Sequence, residues 1–453
     1  MLTRCFTPRS FLMLLALGLL SMVVAGPHLV RAGGFFRNGA VGGVSIDAQG
    51  VVRQPSDEER RELRQEIERR LVAVPQELDN AGPVLRRISL RQLEKAIQDA
   101  RRNGGELPEE VRYLAGLQRV QFVLVYPEHK DVVLIGQAEG WRTNEQGHVV
   151  GKTTGQPVLQ LEDLAVAFRA HFAEPSVINC SIDPTPEGTQ ALQKFLRQQD
   201  QFAPAVLDGM ERALGPQQIT LSGVPESSHF ARVLVAADYR MKRIAMMLDE
   251  SPLEDLPSFL EMLGESRAKL TNMMPRWWLA CDYEPLGRSE DGLAWELRGP
   301  GVRVMTEDSI IANDGTFEAQ SGKENPIASK WAERMTNRYE PLSKAEPVFG
   351  QLRNLMDMSV IAALVRKEQL LEKAGLELPT LLGADQNLPL TAWNPPKSLA
   401  TECSYIKRGR DYLITASGGV QIDAWRNASE VNVSRSLDLL SQAHPHQADR
   451  WWW

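Results

Sequence analysis

Asp282 and Glu284 stand two residues apart in RWWLACDYEPL, a stretch that reads as a strand. Residues i and i+2 of a strand share a face about 7 Å apart, so two carboxylates there could flank a glycosidic bond. Nothing in the string divides the pair into an acid and a base, and core tryptophans with a rim of acids account for it equally well. Cys180, in INCSIDPTPEG, is a candidate nucleophile only if a histidine lies beside it, and His171 is the nearest in sequence. A strand-end cysteine is more simply a small buried hydrophobe.

The densest charge cluster is ADYRMKR at 237–243. Asp238 and Lys242 are spaced as an i,i+4 ion pair, and Arg240 and Arg243 share a neighbouring surface. With Trp277 and Trp278, the residues Asp238, Arg240 and Arg243 make a candidate binding set for an anionic ligand or a partner. A solvated helix face is the plainer reading of the charges. A third candidate comes from a repeat: AVGGVSIDA at 40–48 and ASGGVQIDA at 416–424 agree at seven of nine positions. Asp47 and Asp423 could meet at a pseudo-symmetric cation site. Alternatively, each copy is a strand reached through a glycine pair, where glycine marks a bulge or close backbone approach. Either reading puts the two ends of the chain in the same or adjoining sheets.

Other chemistries have no support. G-x-S-x-G, H-E-x-x-H and P-loop patterns are absent from the sequence. GKTTG at 151–155 lacks the first glycine of a phosphate loop and reads as a turn. Three scattered cysteines after the N-terminal region argue against structural zinc. No cofactor is implied.

The elements that must position these residues follow from periodicity and capping. Ser56-Asp57-Glu58-Glu59 opens a charged helix to about 72, and Ser89 opens a second with an apolar stripe of Leu90, Leu93 and Ile97. VQFVLVY and VVLIGQAEGW flank PEHKD as a hairpin. A helix at 161–173, a strand at SVINCSI, a helix capped at Thr185 and a strand at QQITLSG come next. Ser227 or Ser228 then caps the most periodic helix, with Phe230, Val233, Leu234, Ala237, Met241, Ile244 and Leu248 on one face. GLAWELRG and GVRVMTED read as two strands joined at Pro300-Gly301, followed by helices near 326–340 and 347–374 and a hairpin through Lys-Arg-Gly-Arg. The expected class is α+β, mixed sheets with flanking helices. The segments are 1–32, 33–117, 118–250, 251–430 and a polar tail at 431–453 ending in three tryptophans. Three exposed indoles there would suit docking to a partner.

Arg4 and Arg9 precede an apolar run from Phe11 to Ala25, too short for the ~20 residues of a spanning helix. Val30-Arg31-Ala32 supplies small residues for cleavage, so residues 1–32 read as a signal peptide and the protein as periplasmic or secreted. Cleavage removes three arginines and no acid, taking the net charge from −7 to −10. An acidic chain lacks the basic excess that nucleic acid requires, and no transmembrane span is expected after cleavage.

The strings AVGGVSIDA, NCSIDPTPEG, ITLSGVPESSHFARVLVAADYRMKRIAM, MPRWWLA, DGLAWELRGPGVRVMTED, NPIASKWAERMT and PVFGQLRNLMD resemble a family of exported planctomycete proteins known only as a domain of unknown function. That resemblance implies an exported, integrated unit over 40–430 and carries no assigned site residue. The function expected from the sequence is non-enzymatic binding of a protein or cell-envelope component. A carboxylate hydrolase using Asp282 and Glu284, or groups around the 140–157 loop, is the alternative.

Overall fold

A computed structural model describes residues 43–453 apart from 71–73, 104–105, 200–203, 267–273, 308, 312–316, 320–325, 384–387, 389, 408–410 and 441–449. The signal-like segment and residues 408–410 of the Lys-Arg-Gly-Arg turn lie outside the described residues. The described residues from 43 to 453 belong to a single compact unit.

Local signals set the helices. Ser89 Oγ accepts the Gln92 N–H at 3.0 Å and opens Leu90–Arg102. Thr185 Oγ1 does the same for Gly188 ahead of Pro186–Leu196, and Ser228 Oγ for Ala231 ahead of His229–Ala245. Ser56 and Glu59 close a reciprocal capping box at Asp57–Arg70.

Two mixed sheets frame the core. The eight-stranded sheet runs Ser45–Ile46, Val51–Arg53, Ser398–Leu399, Gln217–Ser222, Ile178–Asp183, Ser417–Ile422, Arg276–Asp282, Gly301–Glu307. The six-stranded sheet runs Val431–Val433, Leu286–Arg288, Ala294–Glu296, Phe122–Tyr126, Asp131–Ala138, Val84–Ser89. Both copies of the repeat therefore sit in one sheet, and both sheets draw strands from either side of residue 250, so 118–250 and 251–430 are not separate bodies.

Between the sheets lie His229–Ala245 and the long helix Pro347–Lys367, packed with Leu161–Ala173. Pro347–Lys367 is long and apolar enough to cross a membrane, and its residues from Pro347 to Val365 are all buried. A helix apolar on all sides needs a core around it, and one hydrophobic cluster runs through this layer from sheet to sheet.

Ala294–Glu296 and Gly301–Glu307 are two strands joined through Pro300-Gly301, as expected, but they do not pair with each other: the chain changes sheets between them. Gly301 takes φ +92°, and a side chain there would strike the Arg353 stem. Nor is 431–453 simply a polar tail. Val431–Val433 adds in parallel to one edge of the six-stranded sheet, while Trp451–Trp453 lies along the opposite edge, beside Val84–Ser89.

Candidate functional site

The site begins with His229–Ala245. A helix with one apolar face would leave its charges in water, but this one is wedged between the eight-stranded sheet and Pro347–Lys367, and all but one of its residues are buried. The charges of ADYRMKR therefore point into the protein, which corrects the expectation of a solvated face. Asp238 is 0 % exposed and Lys242 4 %. They pair at 2.6 Å inside the fold, and burial raises the Asp238 pKa even beside that ammonium.

At the helix C-terminus the chain reverses. Met247 takes φ +56°, and the Leu248 and Asp249 N–H groups return to the Arg243 carbonyl at 2.9 and 3.3 Å. That turn brings Asp249 back under the helix, where it binds Arg243 through two 2.9 Å hydrogen bonds and also holds Arg240. Glu346 takes the rest of Arg240 at 2.9 and 3.1 Å, and Glu402 takes Arg243 from the other side. Burial opposes ionisation of Asp249, but the two guanidiniums outweigh it and lower its pKa. Glu402 goes the other way, raised by burial that Arg243 does not fully offset. Burial and the Glu402 charge push the Tyr239 phenol up to about 12. An anionic-ligand patch at Arg240 and Arg243 is thus overturned: their positive charge is already spent on three carboxylates.

Beside this network Gln217, Tyr239, Lys242, Arg243 and Glu402 line a small cleft of about 20 Å³, room for about one water. The Gln217 Nε2 donates to the Ala416 carbonyl at 3.0 Å, while its Oε1 has no protein partner.

The other end of the helix holds a pair that sequence reasoning missed. His229 Nδ1 sits 2.9 and 3.0 Å from the two Asp163 oxygens, and its Nε2 faces the Gln160 amide at 3.4 Å. Burial disfavours the charged ring, yet Asp163 outweighs it and raises the His229 pKa. This resembles the base and orienting acid of a triad. Its neighbouring hydroxyl, Ser228 Oγ, is engaged in capping and donates to the Pro225 carbonyl at 2.6 Å, so no nucleophile faces the ring from there. A third network ties Asp357, 0 % exposed, to Arg119 at 2.8 Å and to the Tyr283 hydroxyl at 2.7 Å. The contacts of His229 with Asp163 and Gln160, and of Asp357 with Arg119 and Tyr283, join residues more than sixty positions apart, which explains why spacing alone did not reveal them.

The remaining candidates are dispersed. Asp282 ends its strand half-buried, whereas Glu284 lies beyond the strand, exposed, its N–H bonded to the Arg298 carbonyl at 3.1 Å. The two carboxylates therefore do not share a strand face. Trp277 is a core residue, packed at ring distances of 5.1 and 4.9 Å from Phe259 and Trp331. Trp278 is half-buried under the Arg276 guanidinium, 4.5 Å from its ring.

Asp47 and Asp423 are four intervening strands apart, about 24 Å at normal strand spacing, so they hold no common ion. Each instead caps its own turn: Asp47 accepts from Gln49 and Val51 at 2.9 Å, Asp423 from Arg426 at 3.1 Å. Among the described residues no group of three His, Cys, Asp or Glu is arranged to hold a metal.

Cys180, Cys281 and Cys403 are unbridged, and burial pushes every thiol upward, Cys403 to about 12. Both ring nitrogens of His171 lack a hydrogen-bond partner, so it does not activate Cys180. GKTTG is a turn whose N–H groups at Thr153 and Thr154 close on the buried Glu139 carboxylate rather than on a phosphate.

Residues 180–259 match a family described as "Protein of unknown function (DUF1598)". The matched segment runs from the Cys180 strand through the central helix and Asp249 to Phe259, so it carries the buried Asp238–Lys242 pair and the arginines. Glu346 and Glu402 reach the arginines, and Asp163 reaches His229, from outside it. No curated protein and no solved structure matches the chain.

Proposed function

We propose that this is an exported, non-catalytic binding protein that recognises a protein or other component of the cell envelope. The observation that carries this reading is the mutual neutralisation of the central helix's charges. Arg240, Arg243, Asp249, Glu346 and Glu402 hold one another in fixed geometry beside a cleft with room for about one water. A catalytic site needs a group with spare capacity facing a reacting atom, and these groups have partners instead. The signal-like N-terminus and the acidic net charge of −7 support export and a partner other than nucleic acid.

The test is capture by the immobilised chain 33–453 from envelope extract separated into protein and glycan fractions. Saturable retention of one fraction, reproduced with the purified component, is expected. Failure of every fraction to bind above a heat-denatured control would overturn the proposal.

A further inference from the structure

Three buried polar side chains with bonding capacity to spare line the small cleft beside Arg243. Gln217 comes from the strand Gln217–Ser222, and Tyr239 and Lys242 come from the central helix. They are 3 %, 5 % and 4 % exposed, deep enough that an unmet hydrogen bond is costly. The Gln217 amide nitrogen is held by the Ala416 carbonyl at 3.0 Å, which leaves Oε1 as an acceptor without a protein partner. The Tyr239 oxygen accepts from Arg243 Nη1 at 3.3 Å, and among the described residues its own O–H has no acceptor. Lys242 has three N–H groups and one acidic partner, Asp238, at 2.6 Å.

The cleft thus offers donors and an acceptor together, in a volume of about 20 Å³ that fits one oxygen-sized group. Charge decides what kind of group. A cation would meet Lys242 and Arg243. An anion would find both already met, Lys242 by Asp238 and Arg243 by Asp249 and Glu402. A hydroxyl is neutral and both donates and accepts, which suits the Tyr239 and Lys242 donors and the Gln217 acceptor at once. Leu248 and Leu399 also line the cleft, so apolar surface adjoins the polar groups. A sugar ring presents the same mixture, hydroxyls beside C–H.

We propose that this cleft is the subsite for one hydroxyl of a neutral sugar in an envelope glycan. The hydroxyl oxygen accepts from Tyr239 and Lys242 and its proton goes to Gln217 Oε1, while Leu248 and Leu399 lie against C–H groups of the ring. The network of Arg240, Arg243, Asp249, Glu346 and Glu402 then has a use beyond neutralising itself: it fixes the wall of the cleft. The proposal rests on reading the protein as a binder and assigns a place and a ligand class to that role.

The test is calorimetric titration of the chain 33–453 with the methyl glycosides of glucose, galactose, mannose and N-acetylglucosamine. Saturable binding of at least one is expected, weakened about tenfold by Tyr239→Phe and by Gln217→Met in protein with an unchanged circular dichroism spectrum. Monodeoxy analogues of the bound glycoside, titrated against the unsubstituted chain, need no variant to fold: loss of one particular hydroxyl should weaken binding about tenfold. No saturable binding by any of the four, or binding indifferent to both substitutions and to every single deoxygenation, would overturn the proposal and leave the cleft to water alone. Retention of an envelope protein without glycoside binding would likewise overturn the subsite while leaving the broader function standing. Glycoside binding without any envelope partner would leave the subsite standing and count against the broader function.

Discussion

Lys242→Met removes an ammonium from the protein interior while keeping most of the side-chain stem. In the structure that ammonium is the ion-pair partner of Asp238, at 2.6 Å, with the two side chains 6 % and 0 % exposed. Without it the Asp238 carboxylate has no hydrogen-bond partner, and burial and the Asp183 charge oppose its ionisation with the Arg276 charge favouring it. Breaking a buried pair from one side costs about 3–5 kcal/mol, because the remaining charge is uncompensated. Removing both charges in Asp238→Ala/Lys242→Met should cost less than either single change, so the coupling between the two exceeds the larger single cost, at least about 3 kcal/mol. Urea unfolding reads this as a shift in midpoint at unchanged slope. Burial already raises the Asp238 pKa, and losing Lys242 raises it further. The penalty of Lys242→Met should therefore shrink as pH falls and the carboxyl takes up a proton. A single-variant cost of a few tenths of a kcal/mol, as for an exposed i,i+4 pair, would refute the buried placement of this helix face.

His148 and His171 are buried, and that burial, helped for His148 by the His229 charge, lowers each to about 4. Between pH 6.5 and 4 the unfolded chain binds protons that the native state refuses, so stability present above 6.5 is lost as pH falls, by about 3 kcal/mol per histidine. Unfolding midpoints measured across that range should fall, and His171→Gln should flatten the slope; a flat profile for the unsubstituted chain would contradict the burial. Gly419→Ala would put a Cβ 1.8 Å from the Cys180 carbonyl oxygen, and its thermal unfolding should show a loss of about 3 kcal/mol. Gly43→Ala meets no atom within 4 Å and bears only the strain of φ +81°, about 1 kcal/mol. Trp277→Ala should cost about 3–5 kcal/mol, and the folded fraction should keep its partner affinity.

The fold was legible wherever a local signal was sufficient. Caps at Ser89, Thr185 and Ser228 set helix starts because they act over three residues, and 161–173 was readable from its period. The repeat was informative in part: the shared string does mark two strands of one sheet. Its glycines nonetheless answer different demands, since Gly418 and Gly419 are squeezed by the flanking Trp277 and Cys180 carbonyls while Gly43 is in open space. What remained hidden was depth. Period 3.6 shows that a helix has an apolar face, but it does not show that a second helix will cover the other one, as Pro347–Lys367 does for His229–Ala245. For the same reason Asp249, Glu346 and Glu402 could not be foreseen as partners of the arginines. Asp282 and Glu284 failed as a pair because the strand stops at Asp282, a boundary that propensity does not fix.

Recognition without turnover is the central claim, and it is tested most directly by incubating the captured envelope component with catalytic amounts of the chain 33–453 and following its mass. The account predicts a stoichiometric complex from which the component is recovered with its mass unchanged. Multiple turnovers to a product of altered mass, lost in Asp282→Asn or Glu284→Gln variants that still fold, would contradict it and establish a carboxylate hydrolase instead.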